Sequence, residues 1–386
     1  MIAYNRQYLD NRDIRTQAAE ALAKKIITTD EHNRIREAYP YKLYSPNIFI
    51  RLGLFLLTVL ALICCVGLFM LGIADPFGAR GFLIFCGVAV YVGLELFIHL
   101  RGLYQAGVDD ALLWAGAVLI VAGINLGNGQ ISPSMESLTI FLLATAGVLR
   151  YTDRVMTLVA YGALLSLVFN VTIGMGDMAR ALLPFLLMAI SIALYFLFTR
   201  LAAKERLRHY HSCLTVLRVA TLLSFYLACN YYIIREMNAR LSGNSGHVAL
   251  AWLWWLLTAT VPVFYIVNGI FKKDVLFLWT GGLLVAATIF TIRYYYHILP
   301  ADLAMIIGGC ILIGGAYFLI HYLHPPKYGI TSEPADDPHV AANLAVESVL
   351  LAESFKTVGA QPESPSGPGG NFGGGSGGGG GAGGQY

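Results

Sequence analysis

Ten apolar stretches, most about twenty residues long, run along this chain near 51–73, 81–100, 108–126, 135–150, 155–174, 180–200, 213–235, 248–271, 274–293 and 301–323. A bilayer core of about 30 Å is crossed by a helix of about 20 apolar residues. A spanning backbone must also satisfy its own hydrogen bonds, which favours helices over open strands. The pattern therefore predicts an all-α, polytopic transmembrane bundle of about ten spans. The fourth stretch is the shortest of them. Connectors are mostly under a dozen residues, so neighbouring helices are expected antiparallel. Composition agrees: 57% of residues are apolar and 13% charged, against about 25% charged in a soluble domain. The net charge of +3 gives no electrostatic case for a nucleic-acid partner.

The basic residues set an orientation. Twenty of the 26 Lys and Arg fall in the first fifty-one residues, in the even-numbered turns or after the last stretch. The other side holds Arg80, Arg180, Arg235, Arg240 and Arg293, and Arg218 lies inside the seventh stretch. This predicts both termini on the cytoplasmic side and an even number of spans. The first fifty residues are polar and lack the early apolar core of a signal peptide, so the first span is expected to remain as an anchor.

Residues 1–47 are expected to form a cytoplasmic helical hairpin. Ile14, Ala18, Ala21, Leu22 and Ile26 recur at helical spacing. Thr29 or Asp30 is positioned to cap a second helix that closes before Pro40. The hairpin either packs on a neighbour, partner or membrane face, or serves as a solvated basic anchor. The bundle proper spans 48–323. Residues 324–358 form a cytoplasmic segment in which Asp336, Asp337 and Pro338 start a short amphipathic helix carrying Leu344, Leu351 and Phe355. Residues 359–386 are a Pro- and Gly-rich tail, GPGGNFGGGSGGGGGAGGQY at its end, expected to behave as a flexible coil. It is either a tether presenting Phe372 and Tyr386 or a plain low-complexity extension.

The stretch AAEALAKKIITTDEHNRIREAYPYKLYSPNIFIRLGLFLLTVL, from Ala18 to Leu60, resembles the start of the bacterial membrane proteins grouped as domain of unknown function family 2157. The shared features are a short helical hairpin, a polar turn and then the first of many spans, over the N-terminal third of the chain. The resemblance implies a bacterial inner-membrane protein of small cytoplasmic head and multispan bundle. It carries over no catalytic residue.

Polar groups inside spans are the default pointers to function. Glu95 and His99 are four residues apart in the second span, on one helix face. They read either as a proton or cation site or as an ion-pairing site near the cytoplasmic surface. Asn125, Asn170, Asn230 and Asn268 lie in or near four different spans and either line one polar path or make separate packing contacts. Arg218 is placed to snorkel to the cytoplasmic headgroups. The aromatics Tyr231, Tyr232, Trp252, Trp254, Trp255 and Tyr294 to Tyr296 read as an interfacial belt, with an extracytoplasmic pocket as the sharper alternative.

Two strings match protease motifs. Gly174-Met175-Gly176-Asp177 has the form used by intramembrane aspartyl proteases, but Asp109 and Asp110 fall at the opposite end of the membrane. Gly243-Asn244-Ser245-Gly246 has the form of a rhomboid serine motif, within a loop where turn residues are expected anyway. Both read as coincidence, and the chain is expected not to be an enzyme. Cys64, Cys65, Cys86, Cys213, Cys229 and Cys310 show neither CxxC nor zinc spacing, and no cofactor or metal is expected.

The candidate polar site is thus Glu95, His99, Asn170, Asn230 and Arg218. Two functions follow. One is a non-enzymatic scaffold or sensor in the lipid bilayer, holding a cytoplasmic protein through 1–47 or 336–386. The other is a secondary transporter of a small solute with a five-plus-five helix arrangement. No span combines several charges or a clear Gly or Pro break, which tips the choice to the scaffold or sensor. Oligomeric state is not readable from the pattern.

Overall fold

The computed structural model describes residues 2–41, 43–73, 76–126, 132–242 and 250–295, with Ile306, Gly309, Cys310, Ile313 to Gly315, Tyr317 and His321 beyond them. The amphipathic segment at 336–355 and the glycine tail lie outside the described residues. So does the Gly243–Gly246 string. The described residues form helices joined by turns, with one isolated bridge between Tyr44 and Leu103.

Two helices precede the bundle, α1 (Arg6–Ala23) and α2 (Thr29–Ala38). The hairpin therefore begins earlier than its apolar periodicity suggests, because Asn5 caps α1 by accepting from the Gln7 amide. The cap of α2 is Thr28, one residue before the expected Thr29. Thr28 and Glu31 make a reciprocal capping box: Glu31 Oε2 accepts from the Thr28 amide at 2.8 Å, and Thr28 Oγ1 accepts from the Glu31 amide.

The bundle follows as α3 (Ile48–Met70), α4 (Pro76–Arg101), α5 (Val108–Asn125), α6 (Pro133–Tyr151), α7 (Arg154–Gly174), α8 (Asp177–Ala202), α9 (His211–Cys229), α10 (Tyr231–Ser242), α11 (Ala251–Lys272) and α12 (Val275–Tyr295). A 3-10 turn, Glu205–Tyr210, leads into α9. Eight of these are long and apolar enough to cross a membrane by length and composition, so the chain is a multi-pass helical membrane protein. The fourth predicted span is a 19-residue helix, α6, that falls outside those eight. Glu136 and Arg150 near its ends, with Ser134, Ser137 and Thr139, dilute its apolarity. The tenth predicted span lies largely outside the described residues.

The helices pair as sequential antiparallel hairpins, α4 with α5, α6 with α7, α8 with α9 and α11 with α12. Glycine permits the closest of these approaches. A Cβ on Gly87 would lie 2.6 Å from an Ile120 side-chain carbon and 3.0 Å from the Gly116 carbonyl oxygen. One on Gly281 would lie 3.0 Å from the Ile266 amide. Helix association in lipid relies on such close van der Waals contact, because lipid is as apolar as leucine. α3 stands at the edge of the bundle against α5, with no buried residue of its own.

The turns sort into two ends as the charge pattern requires. At one end the N-terminal segment meets the turns after α4, α6 and α8. The Ala3 amide donates to the Arg150 carbonyl at 2.8 Å, and Tyr44 pairs with Gly102 and Tyr104 through backbone bonds. Tyr4 and Leu9 are buried with Ile98, Leu112, Tyr151 and Met156. Arg51 reaches Asp110, and Arg208 with His209 reaches Asp10. Burial pushes the Tyr4 phenol upward, beyond any physiological ionisation. α1 meets the bundle through Leu9, buried with Leu94 and Leu113, and its Asn11 donates to the Pro40 carbonyl beyond α2. α2 buries no side chain.

One feature differs from the sequence expectation. The seventh predicted span, 213–235, is broken at Asn230 into α9 and α10, with Asn230 itself extended (φ −73°, ψ 125°). Proline also lies inside two helices, Pro184 in α8 and Pro262 in α11. Both helices run on through their proline, so the expectation that no span carries an obvious Gly or Pro break stands, and the interruption of the seventh span falls at an asparagine.

Candidate functional site: a roofed cavity in the end opposite the N-terminal segment

A cavity of about 780 Å³ lies among α7, α8, α9, α10 and α11. It occupies the half of the bundle farther from the N-terminal segment. Its walls are apolar, set by Phe169, Leu183, Phe185, Leu227 and Trp254. α10 forms the roof. Ile233, Ile234 and Met237 face the cavity. Arg235 stacks over Tyr295, and Glu236 pairs with Arg240. An amphipathic helix has this division because its apolar residues recur every three to four positions.

The roof begins at Asn230. Its Oδ1 accepts from the Tyr232 amide at 3.0 Å, capping α10. Its Nδ2 donates to the Tyr226 hydroxyl at 2.9 Å and to Thr291 Oγ1 at 3.1 Å. The network continues through Tyr226 and Thr288, whose hydroxyls lie 2.8 Å apart, and Thr288 donates to the Thr258 carbonyl at 3.1 Å. That carbonyl is the one Pro262 strips of its helical amide, because proline at position i has no N–H for residue i−4. Thr258 in turn accepts from the Tyr231 amide at 3.0 Å through its hydroxyl. Five side chains, Tyr226, Asn230, Thr258, Thr288 and Thr291, are buried here. Together they tie the α9–α10 break to α11 and α12. A satisfied buried network of this kind rigidifies the local structure.

The floor is polar. Ser191 and Ser224 lie 2.9 Å apart, and the Tyr161 hydroxyl also meets Ser224. Below it, Arg218 forms an ion pair with Asp274 at 2.8 Å, both largely buried, with its guanidinium over the Tyr195 ring. Asp274, in the turn between α11 and α12, supplies the partner that makes the burial of Arg218 tolerable. The rim toward the far end carries Arg180, whose Nε donates to the Ile173 carbonyl, and Asn238. Pro184, on the wall, withholds an amide from the α8 ladder.

The predicted polar residues divide among four places. Asn230 is the pivot of the roof. Asn170 donates to Ser137 at 3.1 Å and to Ser166, a cavity-lining residue. Arg218 closes the region beneath the floor. Glu95 lies elsewhere, paired across to α6: Arg150 grips it twice, at 2.8 and 2.9 Å, and the Tyr151 hydroxyl donates to it at 2.8 Å. His99 follows one turn later in α4, and Glu95 takes its partners from α6 rather than from His99. Asn125 donates to Glu136, and Asn268 to the Phe264 carbonyl in its own helix. The four asparagines therefore make separate contacts and do not line one path. Asp109 and Asp110 sit at the N-terminal-segment end of α5, far from the start of α8 at Asp177.

The aromatics are only partly a belt. Trp252 is exposed, whereas Trp254 is 3% exposed and walls the cavity. Tyr231 stacks on Trp255, and Tyr295 meets both rings edge-on beside the roof.

No family model matches the chain, and no curated protein matches it significantly.

Proposed function

We propose that this chain is a membrane-embedded sensor or holder of an amphiphilic ligand, seated in the cavity beneath α10. The carrying observation is the cavity itself: about 780 Å³, apolar on its walls, with polar groups confined to rim and floor. Binding sites for small molecules have this size and this sparse polar lining. A hydrophilic solute would find few partners on such walls. An acyl or polyprenyl-like chain would fill them, with its head toward Arg180 and Asn238. The positive-side bias supports a cytoplasmic N-terminal segment and, by parity, an outer-leaflet position for the cavity in what we propose is a bacterial inner membrane. α1 and α2 then supply the surface that a cytoplasmic partner would meet.

The test is recovery of the ligand. Full-length protein is purified in mild detergent, and the extract of the denatured sample is compared with that of Ser224→Trp, which fills the cavity. The proposal expects an amphiphile at near one-to-one stoichiometry with the wild type and several-fold less with the variant. Equal recovery from both would overturn it.

A second reading keeps the transporter. Discontinuous helices mark substrate sites in secondary transporters, and the Asn230 break gives this chain one such feature. Water access to the cavity from both sides of the membrane separates the two readings.

A further inference from the structure

The cavity beneath α10 has a closed end, and its depth decides how long a chain it can hold. Arg180 at the rim and Ser191 at the floor both line it from α8. They are eleven residues apart, about 16 Å at 1.5 Å per residue. Half of a bilayer core of about 30 Å is about 15 Å. The slot is thus about as deep as one leaflet of acyl chain.

At the floor α8 and α9 close on each other. The Ser191 and Ser224 hydroxyls lie 2.9 Å apart, and Ser191 is 1% exposed. No chain passes between groups in such contact. Their hydrogens are already engaged: Ser191 donates to the Leu187 carbonyl at 2.8 Å, Ser224 to the Thr221 carbonyl at 3.0 Å, and the Tyr161 hydroxyl meets Ser224. The floor therefore has no donor to spare for a head group and meets a chain end. The head belongs at the rim, with Arg180 and Asn238. Beyond the floor, about 9 Å further along α9, lies the Arg218–Asp274 pair, which an apolar chain would desolvate at a cost.

A chain in lipid or detergent is already out of water, so selection by length comes from packing. A short chain leaves a void against Leu183, Leu187 and Leu227 and forfeits their dispersion contacts. A long one strikes the floor and must buckle or lift its head from the rim. Taking the cavity as the amphiphile site proposed for it, we infer that it measures chain length: it selects amphiphiles with one polar end and an extended chain of about 16 Å, with the Ser191–Ser224 contact as the stop.

The test uses full-length protein in mild detergent and a series of n-alkyl phosphates that differ only in chain length. Each is added at the same mole fraction in the micelle, and retention is read by native mass spectrometry. Retention should rise to the chain that reaches from rim to floor. It should fall about tenfold once a few methylenes are added, the scale on which an apolar pocket rejects extra length. Ala228 is buried at the cavity wall, one turn from Ser224 toward the roof. Ala228→Phe should raise the stop and make the best chain about 6 Å shorter. Retention that climbs or stays level through the longest chains, or a best length unchanged in folded Ala228→Phe, overturns the stop and leaves the cavity as a site. Retention of no member of the series by the wild type overturns both the stop and the amphiphile reading. The wild-type series decides by itself if the variant fails to fold.

Discussion

Asn230 is the residue on which most of the local geometry turns. It caps α10 with its oxygen and holds Tyr226 and Thr291 with its nitrogen. Asn230→Ala removes the cap and leaves two buried hydroxyls short of a donor. A lost cap costs about 1 kcal/mol, and a buried group left unsatisfied about 1–3 kcal/mol more. Thermal unfolding in detergent should show a loss of about 2–4 kcal/mol, against less than half that for Thr291→Val, which removes one contact. A second residue-scale expectation concerns pH. Glu31 accepts from both the amide and the hydroxyl of Thr28, and these bonds hold its carboxyl below the usual carboxylate range. A lowered folded-state pKa gives stability that is full above the unfolded value and lost as pH falls through the folded one. The start of α2 should therefore stay ordered until pH drops below the ordinary glutamate range, as read from exchange of the Glu31 and His32 amides across an acid titration. Thr28→Ala should only weaken this pH dependence, because the amide at position 28 still donates to the carboxylate, whereas Glu31→Gln should abolish it. The sequence showed the cap motif but left its register one residue late, because Thr28 and Thr29 are adjacent and chemically equivalent until the Glu31 partner is located.

Among the elements, the spans were readable because length and apolarity alone decide them. The start and stop of α7, α8, α11 and α12 differ from expectation by only a few residues. The break at Asn230 was not readable from hydropathy, since Tyr231, Tyr232, Ile233 and Ile234 continue the apolar run beyond it. What ends α9 is hydrogen bonding: Thr258 captures the Tyr231 amide, and its carbonyl has lost its own helical partner to Pro262. Nothing in a single span reveals a partner two helices away. The same holds for Arg218, whose partner Asp274 lies far along the chain in the turn between α11 and α12. Removing one member of such a pair strands the other, a loss of about 3–5 kcal/mol when fully buried. With both side chains partly exposed, Arg218→Ala should cost roughly half of that. Arg218→Gln combined with Asp274→Asn should recover most of it, as measured by denaturation in a double-mutant cycle. Gly281→Leu tests the hairpins. The new side chain would drive into the Ile266 backbone, so α11 and α12 should separate and the variant should lose its folded peak on size exclusion, whereas Gly282→Leu, facing open space, should not.

For the whole molecule, the all-α multi-pass architecture and the division of turns between two ends were legible in the sequence. The cavity was not, because it exists only where α10 turns back over α8 and where Pro184 and Trp254 face a shared space. Of the predicted polar residues, only Asn230 and Asn170 touch that region, directly or through Ser166. Glu95 instead joins α4 to α6 and opens on a different surface. The measurement that tests the account most directly is reagent access to the cavity wall. Leu183→Cys, in a cysteine-free background in sealed membranes, would be treated from each side with a charged thiol reagent and with an apolar one of similar size. The account predicts reaction with the apolar reagent alone, blocked when Ser224→Trp is added. Reaction with the charged reagent from both sides would contradict it and establish a water path through the bundle.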